Sequence, residues 1–141
     1  MRQPSFARRR PGIQLVLPIL LLAASAVTAT ALAQAPAIRR TVIQKGDVSV
    51  PGREAVVARV ELDKGATAGR HAHPGDEIGY VMEGEGELLV DGEDPRRLKA
   101  GESFIIPAGT VHDAVNVGAG TLRVVSVFVV EKGKPLASAV K

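Results

Sequence analysis

Fifteen glycines and nine prolines punctuate this chain of 141 residues. So many turn formers leave room for short strands joined by turns, and little room for long helices. The segments between them agree. Val56, Ala58, Val60 and Leu62 alternate with Val57, Arg59 and Glu61, a period of two that marks a strand with one face buried. Residues 77–82 and 86–90 read as strands flanking Glu83-Gly84-Glu85, and Asp91 to Pro95 reads as the next turn. Further strands are expected at 96–99, 103–106 and 111–117. Leu122 to Val130 is apolar on both faces, as suits a strand covered on both sides or used in a subunit contact. No stretch after residue 40 carries a helical period. The expected fold class is all-β, a sandwich or barrel.

The first 33 residues have a different character. Four arginines (Arg2, Arg8, Arg9, Arg10) precede an apolar run from Ile13 to Val27, which is followed by small residues ending in Ala31-Leu32-Ala33. Basic, apolar and small-residue regions in that order are a secretory signal peptide. Cleavage is expected after Ala33, or else after Ala35. An uncleaved membrane anchor is the alternative, but the run is short for a span and contains Pro18. The arginine run leaves the general and the twin-arginine export routes both open. The product is therefore expected to be periplasmic or secreted, with no stable membrane span once the leader is removed.

The net charge of +3 belongs to the leader: residues 34–141 hold 14 Lys and Arg against 15 Asp and Glu, a balance of −1. With no positive stripe and few aromatics, nucleic acid is not an expected partner. The absence of cysteine excludes disulfides and thiolate metal sites. Residues 34–40 read as a linker, 41–133 as the domain and 134–141 as a C-terminal tail.

The chain has three histidines: His71, His73 and His112. On an extended strand His71 and His73 point to one face, and the Pro74-Gly75-Asp76 turn can bring Glu77 back beside them. These residues could serve a divalent ion, with His112 arriving from a neighbouring strand. Read alone, they could equally be exposed turn histidines beside a solvated glutamate.

The wider spacing is more specific. Gly65, His71, His73, Glu77 and Gly84 follow the pattern glycine, five residues, H-x-H, three residues, glutamate, six residues, glycine. Gly101, Pro107, Gly109, His112 and Asn116 follow glycine, five residues, P-x-G, two residues, histidine, three residues, asparagine. These are the two motifs of the cupins, and residues 40–133 resemble a small single-domain cupin of the type-2, double-stranded β-helix superfamily. The resemblance implies a jelly-roll barrel with one divalent transition metal (iron, manganese, nickel, copper or zinc) on His71, His73, Glu77 and His112. It implies a small-molecule substrate or ligand and a homodimer built on Leu122–Val130 and the 41–50 segment.

The activity it suggests is a dioxygenase-type oxidoreductase, with Glu77 able to act as a base. A non-catalytic binding module and a metal-dependent isomerase or decarboxylase are the alternatives. Strand parity turns Gly79, Val81, Ala114 and Asn116 inward with Glu77 and His112, and turns Tyr80 outward. Leu88, Val90, Ile106 and Phe128 are expected to complete a mostly apolar lining, with Asn116 bracing the backbone. Arg59 and Arg70 are expected on the surface, where either could serve a carboxylate substrate if it entered the barrel mouth.

Overall fold

A computed structural model describes residues 37–141. The signal-peptide reading of residues 1–33 lies outside them. Ten strands follow in chain order: β1 (Ile38–Asp47), β2 (Arg53–Leu62), β3 (His71–Ala72), β4 (Gly75–Glu83) and β5 (Glu85–Val90); then β6 (Arg96–Lys99), β7 (Ser103–Ile106), β8 (His112–Asn116), β9 (Leu122–Glu131) and β10 (Ser138–Ala139). They form two antiparallel five-stranded sheets, in the orders β1-β2-β9-β4-β7 and β10-β3-β8-β5-β6. The inner faces of the two sheets enclose the core, as in a jelly roll.

Alternation sets which side chains face inward. Along β4, Gly75, Glu77, Gly79 and Val81 are buried, while Ile78 and Tyr80 are exposed. Along β9, Leu122, Val124, Ser126, Phe128 and Val130 are buried. Cross-strand register lines these residues up in rows. One row runs Val56, Phe128, Glu77, Ile106. The next runs Ala58, Ser126, Gly79, Phe104. A third runs Arg40, Val60, Val124, Val81. The middle row is small, apart from Phe104, and it leaves the barrel hollow beside Glu77. The Phe104 ring lies over Gly79 so closely that a Cβ there would sit 2.0 Å from its Cζ.

Three boundaries differ from the sequence reading. β1 begins at Ile38, inside the segment expected to be a linker. Nine of its residues pair with β2 from Leu62 to Glu54, with Ile43 bulged out, so Arg39 and Arg40 belong to the barrel. The segment expected to be a tail also takes part: β10 pairs with β3, with Ala139 opposite His71. β10 is two residues long, too short to carry a period in the sequence. Finally, β9 is no edge strand. It is hydrogen-bonded to β2 on one side and β4 on the other, and the sheet edges are β1 and β7. Any contact through β9 must therefore use its outer face.

Asn116 acts as a brace. It is 2% exposed, and its amide donates to the carbonyls of Leu62 (2.9 Å) and Gly120 (2.7 Å) while its Oδ1 accepts from Gly118 N (2.9 Å). It thereby ties the end of β2 to the turn after β8.

Candidate metal centre

β3 and β8 run side by side with His71 opposite His112. His73 follows β3 directly, and the turn at Pro74 starts β4, whose third residue is Glu77. Turn geometry and strand pairing thus bring the three histidines together, with Glu77 beside His73 and His112. The three imidazole centroids are 4.4 to 5.2 Å apart. One nitrogen from each ring lies within 4.8 Å of the others, so the three histidines could hold a metal ion.

The other ring nitrogens fix the chemistry. His71 Nδ1 is 2.6 Å from the Gly69 carbonyl, His73 Nδ1 is 2.6 Å from that of Leu136, and His112 Nδ1 is 2.9 Å from that of Thr110. A carbonyl oxygen can only accept, so each Nδ1 carries a proton and donates it. In the neutral rings, every Nε2 then offers a lone pair. Carbonyl support at Nδ1 of this kind is how a metal-ligating imidazole is oriented.

Glu77 stands beside two of those lone pairs. Its Oε2 is 3.1 Å from His112 Nε2 and 3.2 Å from His73 Nε2, and its Oε1 accepts a 2.7 Å hydrogen bond from Ser126. His73 Nε2 is close to the carboxylate, yet it is buried without a hydrogen-bond partner. A lone pair facing a carboxylate in a buried site lacks a positive charge between them. Leaving such a group unsatisfied costs about 1–3 kcal/mol. The donor set, three nitrogens and one oxygen, fits a divalent transition ion at that point.

Without an ion, protons serve instead. Burial pushes the Glu77 carboxyl up, but His112, His73 and Ser126 outweigh it and hold the pKa at about 2. Burial pulls His112 down, and Glu77 with the Thr110 carbonyl more than reverses this, leaving it above its ordinary value. His71 is lowered, chiefly by burial. A pH dependence of the metal-free protein follows. The Glu77 contribution to stability is complete above its ordinary 4.5 and disappears as pH falls toward about 2. The His112 contribution is complete below its ordinary 6.5 and is lost as pH rises through the raised value. Urea titrations in chelator are expected to show greatest stability in the mildly acidic interval between these limits. Adding a divalent ion should move the optimum to higher pH, because ligation requires neutral imidazoles. Identical pH profiles with and without metal would contradict this.

The centre opens on a cavity of about 110 Å³. Leu88, Ala114 and Phe128 line it as expected, with Phe104 beside them. Val90 and Ile106 do not; they face a separate hollow beside Arg96. Tyr80 points outward, 48% exposed. Arg70 pairs with Asp91, and Arg59 lies on the surface 3.9 Å from Glu61, so neither enters the cavity.

Three participants were not foreseen from the sequence: Ser126, the Leu136 carbonyl and Arg40 at the cavity wall. Ser126 had a signal, being the polar residue among five inward positions of β9. The other two lie in segments read as tail and linker.

The sequence model of the cupin domain matches residues 58–128, a span that holds both motifs. The chain belongs to the cupin family. Its cupin domain is similar to the HTH-type transcriptional regulator PuuR of Escherichia coli, with 39% identity over 77 residues, covering 54% of this chain and 41% of the regulator. It is similar to oxalate oxidase 1 of Hordeum vulgare, with 43% identity over 70 residues, covering 43% of this chain and 34% of the oxidase. The chain thus spans less than half the length of these curated relatives. Among solved structures, a double-stranded β-helix protein of Klebsiella pneumoniae superposes with a TM-score of 0.59 at 28% identity, covering 73% of this chain and 84% of that one. Cupin relatives therefore include both an enzyme and a regulator, and the fold leaves the activity open.

Proposed function

We propose that the chain is an exported, metal-dependent cupin oxidoreductase of dioxygenase type, acting on a small organic molecule that enters the apolar cavity. The observation that carries this reading is the set of three imidazoles, each committed at Nδ1 to a main-chain carbonyl, with Glu77 Oε2 3.2 Å from Nε2 of His73 and 3.1 Å from that of His112. His71, His73, His112 and Glu77 would hold the ion, which would supply Lewis acidity, redox chemistry and open coordination positions.

The chain's own residues do the remaining work. The carbonyls of Gly69, Thr110 and Leu136 keep the rings in one tautomer. Ser126 holds Oε1 of Glu77, leaving Oε2 to face the ion or, once released from it, to take a proton from substrate. A carboxyl held at about 2 is a weak base. Beside a bound ion its charge would be stabilised further, so Glu77 would serve as a base only on releasing the ion. The apolar walls exclude water from the reacting groups. Oxygen uptake by protein loaded with iron, manganese, nickel or copper, assayed with a panel of phenols in air and under nitrogen, tests the proposal. No uptake with any metal would count against it.

A binding module without turnover is the second reading. It is favoured by the lining, which apart from the four ligands offers only Arg40 and Glu87 as charged groups. Calorimetric binding of small acids without turnover would support it.

Export rests on the leader, and a mature N-terminus at Gln34 or Pro36 by mass spectrometry is the expected result. Pairing into a homodimer is supported by the outer face of the first sheet. There Ile105 (68% exposed) and Ile78 (42%) stand in register with Val127 and Val57. A monomer by light scattering would refute it.

A further inference from the structure

The cavity has a charged wall that the metal centre does not explain. Arg40 shares its parity on β1 with Ile38, which packs on the core, and Val42, which lines the cavity. Its neighbour Arg39 turns the other way, to Asp63 at 3.0 Å and Glu61 at 3.9 Å. Arg40 is exposed at the cavity mouth, and its Nη2 donates to the Ala68 carbonyl at 3.1 Å, which anchors one nitrogen of the guanidinium. Among the described residues no carboxylate lies within 4.0 Å of it. Its remaining donors are uncommitted.

Arg40 stands two rows from Glu77, roughly 13 Å along the strand direction, and three strands from it across the sheet, roughly 14 Å at the ordinary strand spacing. The lining between them includes Val60, Leu62, Leu88 and Val124, which is hydrocarbon. Apart from Glu77, Glu87 is the acid in the lining, and Arg97 at 3.8 Å shares its charge.

We propose that Arg40 binds the carboxylate of an elongated organic acid whose opposite end turns an oxygen group to the histidine centre. The inference rests on the metal-centred reading above and adds the substrate class to it. A guanidinium anchored at one nitrogen still presents its other donors as a planar fork, the shape a carboxylate accepts. The hydrocarbon walls suit a spacer between the two ends and disfavour a polar one. A two-carbon diacid such as oxalate is too short to use both ends.

The test uses nickel-loaded full-length protein and two hydroxamates, whose chelating group is suited to the ion. One is glutaric monohydroxamate, and the other is the analogue with a carboxamide in place of the carboxylate. By calorimetry the wild type should bind the carboxylate probe about 10-fold tighter or more, as expected for a charge-assisted hydrogen bond. In Arg40→Gln this preference should fall below about 2-fold, and Arg40→Lys should keep part of it. Oxalate should bind Arg40→Gln as it binds the wild type. Unchanged melting temperatures would show that the variants fold.

Equal binding of the two probes by the wild type, or a preference that survives in Arg40→Gln, would overturn the role of Arg40 while leaving the metal centre intact. Failure of both hydroxamates to bind metal-loaded wild type would overturn the metal-centred reading and this inference with it.

Discussion

His112→Ala, incubated with a divalent transition metal and then desalted, is expected to retain little of the ion that the wild type keeps. The same holds for His73→Ala. Both rings are buried, 3% and 6% exposed, and neither has a neighbouring residue able to replace its nitrogen. Loss of a residue that merely supports a ligand typically lowers metal affinity 10- to 100-fold, so loss of a ligand should cost more than about 100-fold. Any turnover by the proposed metal-dependent activity should fall with it.

Ser126→Ala provides the graded comparison, since it removes the 2.7 Å hydrogen bond to Glu77 Oε1 and leaves every nitrogen in place. Its expected loss is about 10-fold. Metal content by mass spectrometry on desalted samples checks both. Full occupancy in His112→Ala would show that the ion binds elsewhere.

The second large effect is on folding. Gly75→Ala is expected to destabilise the domain by more than about 3 kcal/mol, seen as a lower urea midpoint at unchanged slope. A Cβ at this position would lie 2.0 Å from the Val129 carbonyl oxygen and 2.6 Å from Val130 Cα. Both are main-chain atoms of the paired strand, so β4 and β9 would have to separate where they now exchange hydrogen bonds. Glu77 is two residues along the same strand, so metal retention should fall as well. By contrast, Gly46→Ala meets nothing within 4 Å and should be nearly neutral. Equal stabilities for these two variants would show that β4 does not approach β9 as described.

Much of the centre was legible in the sequence because it is built from nearby residues. His71, His73 and Glu77 fall within seven consecutive positions, so turn geometry alone can gather them. The glycine and proline spacing around His112 marks where the partnering strand begins. Parity also placed Val81 inward and Tyr80 outward correctly. Parity names a face but not a height along the barrel. This is why Val90 and Ile106, though facing inward, stand beside another hollow. Arg40 was hidden for a different reason. Isolated charges next to small residues resemble a linker, and only pairing with β2 makes Ile38 to Val42 a wall of the cavity. The contribution of Leu136 is a carbonyl oxygen, which every residue type carries, so no side-chain pattern could have marked it.

The clamp on His73 has a consequence for biogenesis. Its carbonyl partner lies 63 residues further along the chain. Because synthesis proceeds from the N-terminus, the four candidate ligands have all emerged while His73 is still free to swing. Premature capture of an ion would meet a loose, incomplete cage. Arrival of Leu136, in the segment between β9 and β10, then locks the ring, so that tight loading is expected late in the maturation of the polypeptide.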